Sequence, residues 1–379
     1  MSLLRIVQVN KLYSPEIGGV ETVVQDIAEG LNSKTDMQVL VCQRKGRGVK
    51  ETINGVKVTR ATSFGTWLSM PLSIDFLRQF RRLVKDADII QIHVPFPLAD
   101  LAIRFFRFKG KLVVWWHSDI VRQKMMLRLL RPFVNNTLKR ANSIIVASKA
   151  HIASSIFLPK FADKCKVIPY GLDFAEYDVP VEKDFLTKRL NNPQNKKLLF
   201  VGRLVYYKGI HLLIDSMKDV VGAELFIVGS GVLDEQLKAT AWQYGLEDRV
   251  HFLGELPRES LLSAYRDCEV FVFPSCANSE AFGITQIEAM YYGKPVVNTD
   301  LPTAVPWVSV HEETGLTVSV GNVAAMSAAI MRLVNDDTLR EEYGVNAVAR
   351  VRALFNQQHM LDEIYSKYKR LVKARSKSH

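Results

Sequence analysis

The chain has 379 residues, 48% of them hydrophobic and 23% charged, which excludes an intrinsically disordered protein and predicts two domains of ordinary size. Its four cysteines have no CxxC spacing, so the sequence contains neither a zinc-finger pattern nor a disulfide framework, and a cytoplasmic setting is expected. The net charge is +11, and no stretch approaches the roughly 20 apolar residues of a membrane span.

The first half of the chain alternates short apolar strands with amphipathic helices, a pattern typical of parallel sheets built from βαβ units. The predicted strands span residues 3–10, 37–42, 89–93, 112–116, 143–147 and 165–168. A loop with two adjacent glycines, Gly18 and Gly19, separates the first strand from a helix predicted at about 20–31. Because glycines let the backbone come close to a ligand at a helix start, we predict a binding role for this loop.

Positive charge is concentrated in residues 72–140, which contain 14 Lys or Arg against 5 Asp or Glu. The basic residues are Arg78, Arg81, Arg82, Lys85, Arg104, Arg107, Lys109, Lys111, Arg122, Lys124, Arg128, Arg131, Lys139 and Arg140. Such a patch suits an anionic partner, either the phospholipid head groups of the inner membrane surface or a lipid-diphosphate acceptor, and the alternative is a solvated basic face. Nucleic acid is disfavoured, because no helix-turn-helix, RNA-recognition or zinc signature accompanies the charge.

Asp86 and Asp88 form a DxD pattern, which binds a divalent cation in some enzymes. They lie in the turn that precedes a predicted strand, at the amino-terminal edge of the sheet. Ligands of open α/β sheets bind at the opposite edge. We therefore interpret the pattern as a capped turn and predict no metal site.

Two histidines, His93 and His117, lie at the carboxyl ends of predicted strands, the edge at which open α/β sheets bind ligands. A lone histidine beside an apolar strand is more often packed and hydrogen-bonded than functional. Two of them at the same edge favour a site. We assign His93 and Ser118 to the side of that site that would hold an acceptor substrate.

The second half of the chain repeats the strand–helix alternation after a charged, proline-containing linker at residues 173–193. The predicted strands span residues 197–201, 224–228, 250–252, 270–273 and 295–298. We predict an N-terminal Rossmann-like domain at 1–175 and a C-terminal one at 176–356, followed by an amphipathic helix at 357–375. Two such sheets facing each other would form a cleft between the domains.

Two cations, Arg203 and Lys208, follow the first strand of the second half, in a loop that begins with Gly202 and closes with a glycine. Such a pair can neutralise the charge that grows on a departing nucleoside diphosphate without a metal ion. The alternative is two exposed cations in an ordinary loop. Gly229, after the next strand, is only weak evidence for a dinucleotide-binding fingerprint. It fits a turn near the same diphosphate.

A strand–loop–helix segment beginning at Pro274 carries two acidic residues eight positions apart, Glu280 and Glu288. Two acidic residues at this spacing mean little alone, but this frame places them around a helix start. Backbone amides there can hold a diphosphate or a sugar hydroxyl. These amides belong to Phe282, Gly283 and Ile284. Glu280, before the helix, is placed to reach sugar hydroxyls, and Glu288, inside it, to accept hydrogen bonds from a ribose diol.

Taken together, these motifs resemble glycosyltransferase family 4. The resemblance rests on the Gly18-Gly19 loop, the segment 167–173, the Arg203 and Lys208 pair, and the block from Ser279 to Glu288. It implies the B-type glycosyltransferase fold, in which two Rossmann-like domains face each other across a cleft. It also implies a retaining, metal-independent sugar transfer with no cofactor, and a last helix that crosses back onto the N-terminal domain.

The resemblance also implies a role for each matching residue. Arg203 and Lys208 would hold the diphosphate, Glu280 the donor sugar and Glu288 the ribose. The amides of residues 282–284 and Gly19 would approach the donor, and His117 would lie beside the sugar. Retention without a nucleophilic carboxylate is explained in this family by same-face attack, in which the leaving phosphate oxygen takes the proton of the acceptor.

Finer features resemble bacterial mannosyl- and rhamnosyltransferases of O-polysaccharide assembly, which use GDP-sugars and a lipid-linked glycan at the inner membrane. These features are the segments 92–100, 116–124 and 203–209. A departure at residues 300–307, where many relatives carry two glycines, leaves the nucleobase open between GDP- and UDP-sugars. A UDP-dependent N-acetylglucosaminyl- or glucosyltransferase, a non-catalytic sugar-nucleotide-binding protein, and a phosphorylase or epimerase of the same fold are the alternatives.

Overall fold

The computed structural model describes residues 3–16, 18–67, 70–119 and 124–376. The chain divides into two compact units. Unit 1 comprises Met1–Tyr170 and Gln357–His379, and unit 2 comprises Gly171–Asn356. Each unit is an α/β domain built on a largely parallel sheet, so the predicted fold class is confirmed. Arg122 of the predicted basic patch lies outside the described residues.

Unit 1 contains an eight-stranded sheet and a separate two-stranded ladder. The strands are β1 (Leu4–Val9), β2 (Thr35–Cys42), β3 (Val49–Ile53), β4 (Val56–Ala61), β5 (Thr66–Trp67), β6 (Met70–Pro71), β7 (Ile89–Val94), β8 (Lys111–Trp116), β9 (Ser143–Val146) and β10 (Cys165–Val167). The helices between them are α1 (Gly19–Asn32), α2 (Ile74–Leu83), α3 (Pro97–Phe105), α4 (Lys124–Arg140) and α5 (Lys149–Ser154). The sheet order is β10-β9-β8-β7-β1-β2-β4-β3, and β3 alone pairs antiparallel in this sheet.

The sheet of unit 1 is buried on both faces, as expected for parallel strands covered by helices. All six residues of β7 are buried. Phe76 and Phe80 of α2, together with Phe96 before α3, belong to the core cluster that covers one face. The interior of this sheet nevertheless contains buried polar side chains, namely Gln8, Gln91 and His93, and these call for hydrogen-bond partners.

Unit 2 contains a six-stranded, wholly parallel sheet. Its strands are β11 (Lys196–Val201), β12 (Ala223–Val228), β13 (Val250–Gly254), β14 (Val270–Phe273), β15 (Val296–Thr299) and β16 (Gly315–Val318). Its helices are α6 (Ile210–Ser216), α7 (Asp234–Gln243), α8 (Arg258–Asp267), α9 (Ile284–Tyr291), α10 (Val305–Val308), α11 (Val323–Asn335) and α12 (Asp337–Leu354). The order β13-β12-β11-β14-β15-β16 is that of a Rossmann sheet, and its direction reverses between β11 and β14.

The last helix, α13 (Gln357–Ser376), belongs to unit 1 and packs against α1. Leu361 lies so close to Gly30 of α1 that a Cβ at Gly30 would stand 2.4 Å from the Leu361 side chain. Ile364 and Tyr368 are fully buried, whereas the ion pair between Lys34 and Asp362 is exposed. Burial of the apolar face therefore accounts for most of the attachment of this helix. No helix within the described residues is long and apolar enough to cross a bilayer.

Candidate functional site

In unit 2, the loops that follow β11 and β14 meet at the point where the strand order reverses. Gly209 closes the first loop at a positive φ of 69°, and a Cβ there would stand 2.0 Å from the carbonyl oxygen of Pro274 in the second loop. The amide of Cys276 donates to the carbonyl of Tyr207 at 2.8 Å. Only glycine permits this backbone approach, which brings Lys208 to the second loop.

Lys208 and Glu280, which are far apart in sequence, form a buried ion pair with 2.6 Å between Nζ and Oε2. Each side chain is only 11% exposed. Ser275, fully buried, donates its hydroxyl to the same carboxylate oxygen at 3.2 Å. The Lys208 ammonium also lies 4.9 Å from the centre of the Phe273 ring, a distance at which a cation–π interaction is favourable. The structure thus brings these two predicted site residues into contact.

Arg203 lies in the same loop as Lys208 but is exposed. Its guanidinium donates to the Tyr207 hydroxyl at 2.9 Å. This hydrogen bond to a neutral hydroxyl uses one N–H group of the guanidinium, and the remaining N–H groups can donate to an anion. Arg203 is therefore an exposed cation beside a buried one.

The glycines at the ends of β11 and β12 pack against each other. A Cβ at Gly229 would stand 2.1 Å from the carbonyl oxygen of Gly202, and both residues have positive φ. A Cβ at Gly231 would stand 2.4 Å from the carbonyl oxygen of Leu204. Backbone packing therefore accounts for glycine at position 229, whereas Gly202 is favoured by its positive φ, and the assignment of both residues to the donor stays a prediction.

Helix α9 begins at Ile284, directly after Phe282 and Gly283. Gly283 has a positive φ of 84°, and a Cβ there would stand 2.7 Å from the Phe273 ring. The amides of all three residues therefore lie at the positive end of the helix dipole, where an anion is stabilised. Glu280 precedes this helix start, as predicted from the sequence.

Glu288 of α9 has both carboxylate oxygens hydrogen-bonded to tyrosines. Tyr177 donates to Oε1 at 2.8 Å and Tyr265 donates to Oε2 at 2.7 Å. Burial, reinforced by the charge of Glu288, raises the pKa of both tyrosines, so both hydroxyls stay protonated. Sequence reasoning missed these tyrosines, because one follows the predicted domain boundary and the other lies in α8, and no spacing connects them to Glu288.

In unit 1, α1 begins at Gly19. A Cβ at Gly19 would have no atom within 4 Å, whereas one at Gly18 would stand 2.3 Å from the Glu21 carboxylate, the end of a flexible side chain. The space above Gly19 is therefore open at a helix start. That geometry suits the predicted approach of a ligand.

His93 and His117 are in direct contact, with 2.9 Å between His93 Nδ1 and His117 Nε2. His93 is 1% exposed and His117 is 5% exposed, and Trp115 stacks on both rings. Burial lowers the pKa of both imidazoles, that of His93 to about 3, so both are neutral near pH 7. Ser118 follows His117 and is half-buried. The acceptor-side role of His93 and Ser118 stays a prediction, and a fully buried His93 could serve it only through another residue.

Asp88 of the DxD pattern is hydrogen-bonded to the backbone of the two neighbouring strands. The Asp88 carboxylate accepts the backbone amide of Arg5 at 3.0 Å, and its carbonyl accepts the amide of Lys111 at 2.8 Å. Asp88 thereby caps β1 and β8 at the amino-terminal edge of the sheet. Within the part of the chain that the structure describes, no group of three or more His, Cys, Asp or Glu side chains is arranged to hold a metal ion.

Comparison with known families matches both halves of the chain. The family model "Glycosyltransferase Family 4" matches residues 17–176, and the model "Glycosyl transferases group 1" matches residues 182–350. D-rhamnosyltransferase WbpZ of Pseudomonas aeruginosa is 35% identical over 93% of this chain and 92% of its own length. O-antigen chain mannosyltransferase C of Escherichia coli is 30% identical over 98% of this chain and its whole length.

Solved structures share the fold. Anabaena Alr3699/HepE in complex with UDP superposes with a TM-score of 0.80 at 22% identity, covering 97% of this chain and 100% of that one. Sucrose-phosphate synthase from Thermosynechococcus elongatus gives a TM-score of 0.79 at 21% identity, covering 98% of this chain and 100% of that one. The agreement extends over nearly the whole chain in both cases.

Proposed function

Since this chain belongs to glycosyltransferase family 4, we propose that it transfers a mannose or a related hexose from a nucleotide-diphosphate sugar to a lipid-linked glycan in bacterial surface polysaccharide synthesis. The chain is a glycosyltransferase of the B-type fold. The sugar and the pathway are inferred from relatives named for rhamnosyl and mannosyl transfer and for O-antigen chains.

The observation that carries the proposal is the buried contact between Lys208 and Glu280 at the strand-order reversal of unit 2. A lysine ammonium has three N–H donors, and Glu280 occupies one of them. The others are free to bind phosphate oxygens, with the exposed Arg203 as a second cation. The charge that develops on the departing diphosphate is then neutralised by two side chains, with no metal ion required.

Glu280 gives the pair a second function. Its carboxylate accepts hydrogen bonds from Ser275 and Lys208, and its remaining lone pairs are available to donor-sugar hydroxyls. We assign the start of α9 to the phosphates and Glu288 to the ribose. Retention follows in this scheme from same-face attack, with the leaving phosphate oxygen taking the acceptor's proton.

The acceptor side of the proposal rests on the surface of unit 1. Cations of α2 and of the segment after α3 are exposed, among them Arg82 and Arg107. Exposed apolar side chains accompany them, notably Ile74 at 76% and Phe105 at 66% exposure. Cations with exposed apolar side chains suit an anionic membrane surface, so we propose peripheral association at the inner face of the membrane.

Thermal-shift measurement against GDP- and UDP-sugars tests the proposal first, because a ligand that binds only the folded state raises its melting temperature. We expect a GDP-hexose to stabilise the protein. Stabilisation by UDP-N-acetylglucosamine or UDP-glucose alone would instead establish the UDP-dependent alternative. NMR of the product made from the stabilising donor should show the donor's anomeric configuration, and an inverted product would refute the retaining mechanism.

A further inference from the structure

A chain of buried hydrogen bonds passes through the sheet of unit 1 to His117. Its members are Tyr170, His117, His93, Gln8, Gln91 and Tyr368. Each is at most 6% exposed. Gln8 and Gln91 are paired in register on neighbouring strands, and Tyr368 enters from α13. Polar groups in such a place are costly unless every one has a partner.

The distances along this chain are those of good hydrogen bonds. The Tyr170 hydroxyl lies 2.7 Å from His117 Nδ1, and His93 Nε2 lies 2.7 Å from Gln8 Oε1. At the other end, the Tyr368 hydroxyl donates to Gln91 Oε1 at 2.6 Å. Both nitrogens of both imidazoles are therefore engaged, and His117 has no ring nitrogen left over for another group.

Counting hydrogens shows which atom donates and which accepts in each of these hydrogen bonds. Gln8 Oε1 can only accept, so His93 carries its proton on Nε2. A neutral imidazole has one N–H, which leaves His93 Nδ1 as an acceptor and requires the proton of His117 to be on Nε2. His117 Nδ1 then accepts from the Tyr170 hydroxyl. These tautomers satisfy the contacts of 2.7 and 2.9 Å, and leave only the longer contact of 3.3 Å, between Gln91 Nε2 and His93 Nε2, as one between two donors.

The amides of Gln8 and Gln91 determine this direction, and Tyr368 couples the orientation of one amide to that of the other. Its hydroxyl donates to Gln91 Oε1 and accepts from Gln8 Nε2 at 3.4 Å, while Gln91 Nε2 donates to Gln8 Oε1 at 3.2 Å. Turning both amides over would reverse every donor and acceptor along the chain. The Tyr368 hydroxyl donates to one amide and accepts from the other, so neither amide can turn over without the other.

We infer that Tyr170 and Tyr368 are positioning residues that hold His117 as a single neutral tautomer, with its proton on Nε2. A substrate hydroxyl can hydrogen-bond to this ring only at Nδ1, where it must donate and must take the place of Tyr170. The Nε2–H of His117 is already committed to His93, so this ring does not accept the acceptor's proton there. The inference rests on the proposed function only in giving His117 a part in the transfer.

Long-range ¹H–¹⁵N NMR of the full-length protein with ¹⁵N-labelled histidine tests the tautomers directly, and needs no variant. Neutral rings with Nε2 protonated and Nδ1 unprotonated are expected for both His93 and His117. A proton on Nδ1 of either ring, or a charged ring near pH 7, would overturn the inference whether or not transfer is detected. The expected tautomers without any transfer would leave the positioning network standing and remove the proposed function.

Two variants test the positioning roles. Tyr368→Phe keeps the buried ring but uncouples the two amides, so that one can turn without the other, and a second set of histidine resonances is expected. Tyr170→Phe removes the donor to His117 Nδ1, so His117 without substrate is expected to show both neutral tautomers in the same spectra. Tyr365→Phe, on the same helix but half-buried, is the matched control and should match the wild type. Histidine spectra of Tyr368→Phe or Tyr170→Phe that are the same as those of the control would contradict the assigned roles.

Discussion

Replacing Glu280 by alanine leaves the buried ammonium of Lys208 without its partner, and this change tests the stability and the chemistry of the pair together. Removing one member of a buried ion pair costs about 3–5 kcal/mol. Lys208 is 11% exposed and keeps its contact with the Phe273 ring, so we expect the lower end, about 3 kcal/mol. For a unit of this size, that corresponds to a fall in melting temperature of roughly 6–12 °C.

Glu280→Gln is the matched variant, because its amide oxygen can still accept from Lys208 and Ser275. We expect a smaller loss of stability, about 1–2 kcal/mol. Transfer, followed as release of nucleoside diphosphate at saturating donor, should nevertheless fall by about 100-fold or more in both variants, because the charge that orients the sugar and Lys208 is gone.

The double variant Lys208→Met with Glu280→Leu separates stability from chemistry. Replacing a buried ion pair by apolar side chains of similar volume is often neutral, so its melting temperature should return towards that of the wild type. Its transfer should remain lost. An unchanged melting temperature in Glu280→Ala, or wild-type turnover in Glu280→Gln, would refute the reasoning.

Three further results are expected. Chelator should leave transfer unchanged, and loss of transfer restored by magnesium would contradict the metal-free proposal. Gly209→Ala should lower the melting temperature much more than Gly245→Ala, because both positions have positive φ but only Gly209 lies against Pro274. Equal decreases in the two variants would show that the close contact with Pro274 does not matter. Buried His93 and His117 have lowered pKa values, so the stability they confer is present above pH 6.5 and lost as the pH falls below it, by up to about 1.4 kcal/mol per pH unit for each ring. Urea titrations at several pH values measure how the free energy of unfolding changes with pH, and the slope should be shallower in His93→Gln. The charges of Lys11 and His151, which also face His117, lower its pKa further.

Much of the fold could be predicted because parallel strands covered on both faces are continuous apolar runs. The segment 270–273 was predicted as a strand and is one, and the segment 224–228 differs from β12 by a single residue. The hairpin of β3 and β4 was missed, because both strands carry charged residues and β3 lies at the sheet edge. Its turn, Asn54-Gly55, has positive φ at both residues, and that dipeptide is the signal that would have found it.

The site was predictable as a set of residues but not as a geometry. The sequence places Lys208 and Glu280 in loops after two strands, and only the strand order shows that β11 and β14 are neighbours. The hydrogen bonds around His117 depend on register in the same way, because Gln8 and Gln91 face each other across β1 and β7. Polar residues inside two apolar strands were the available signal, and their partners could not be identified without the pairing.

We propose above all that Arg203 and Lys208 hold the diphosphate of the donor. A crystal structure with bound nucleoside diphosphate measures this most directly. We expect phosphate oxygens within hydrogen-bond distance of Lys208 Nζ and the Arg203 guanidinium, at the start of α9. Phosphates bound away from both side chains would contradict the claim.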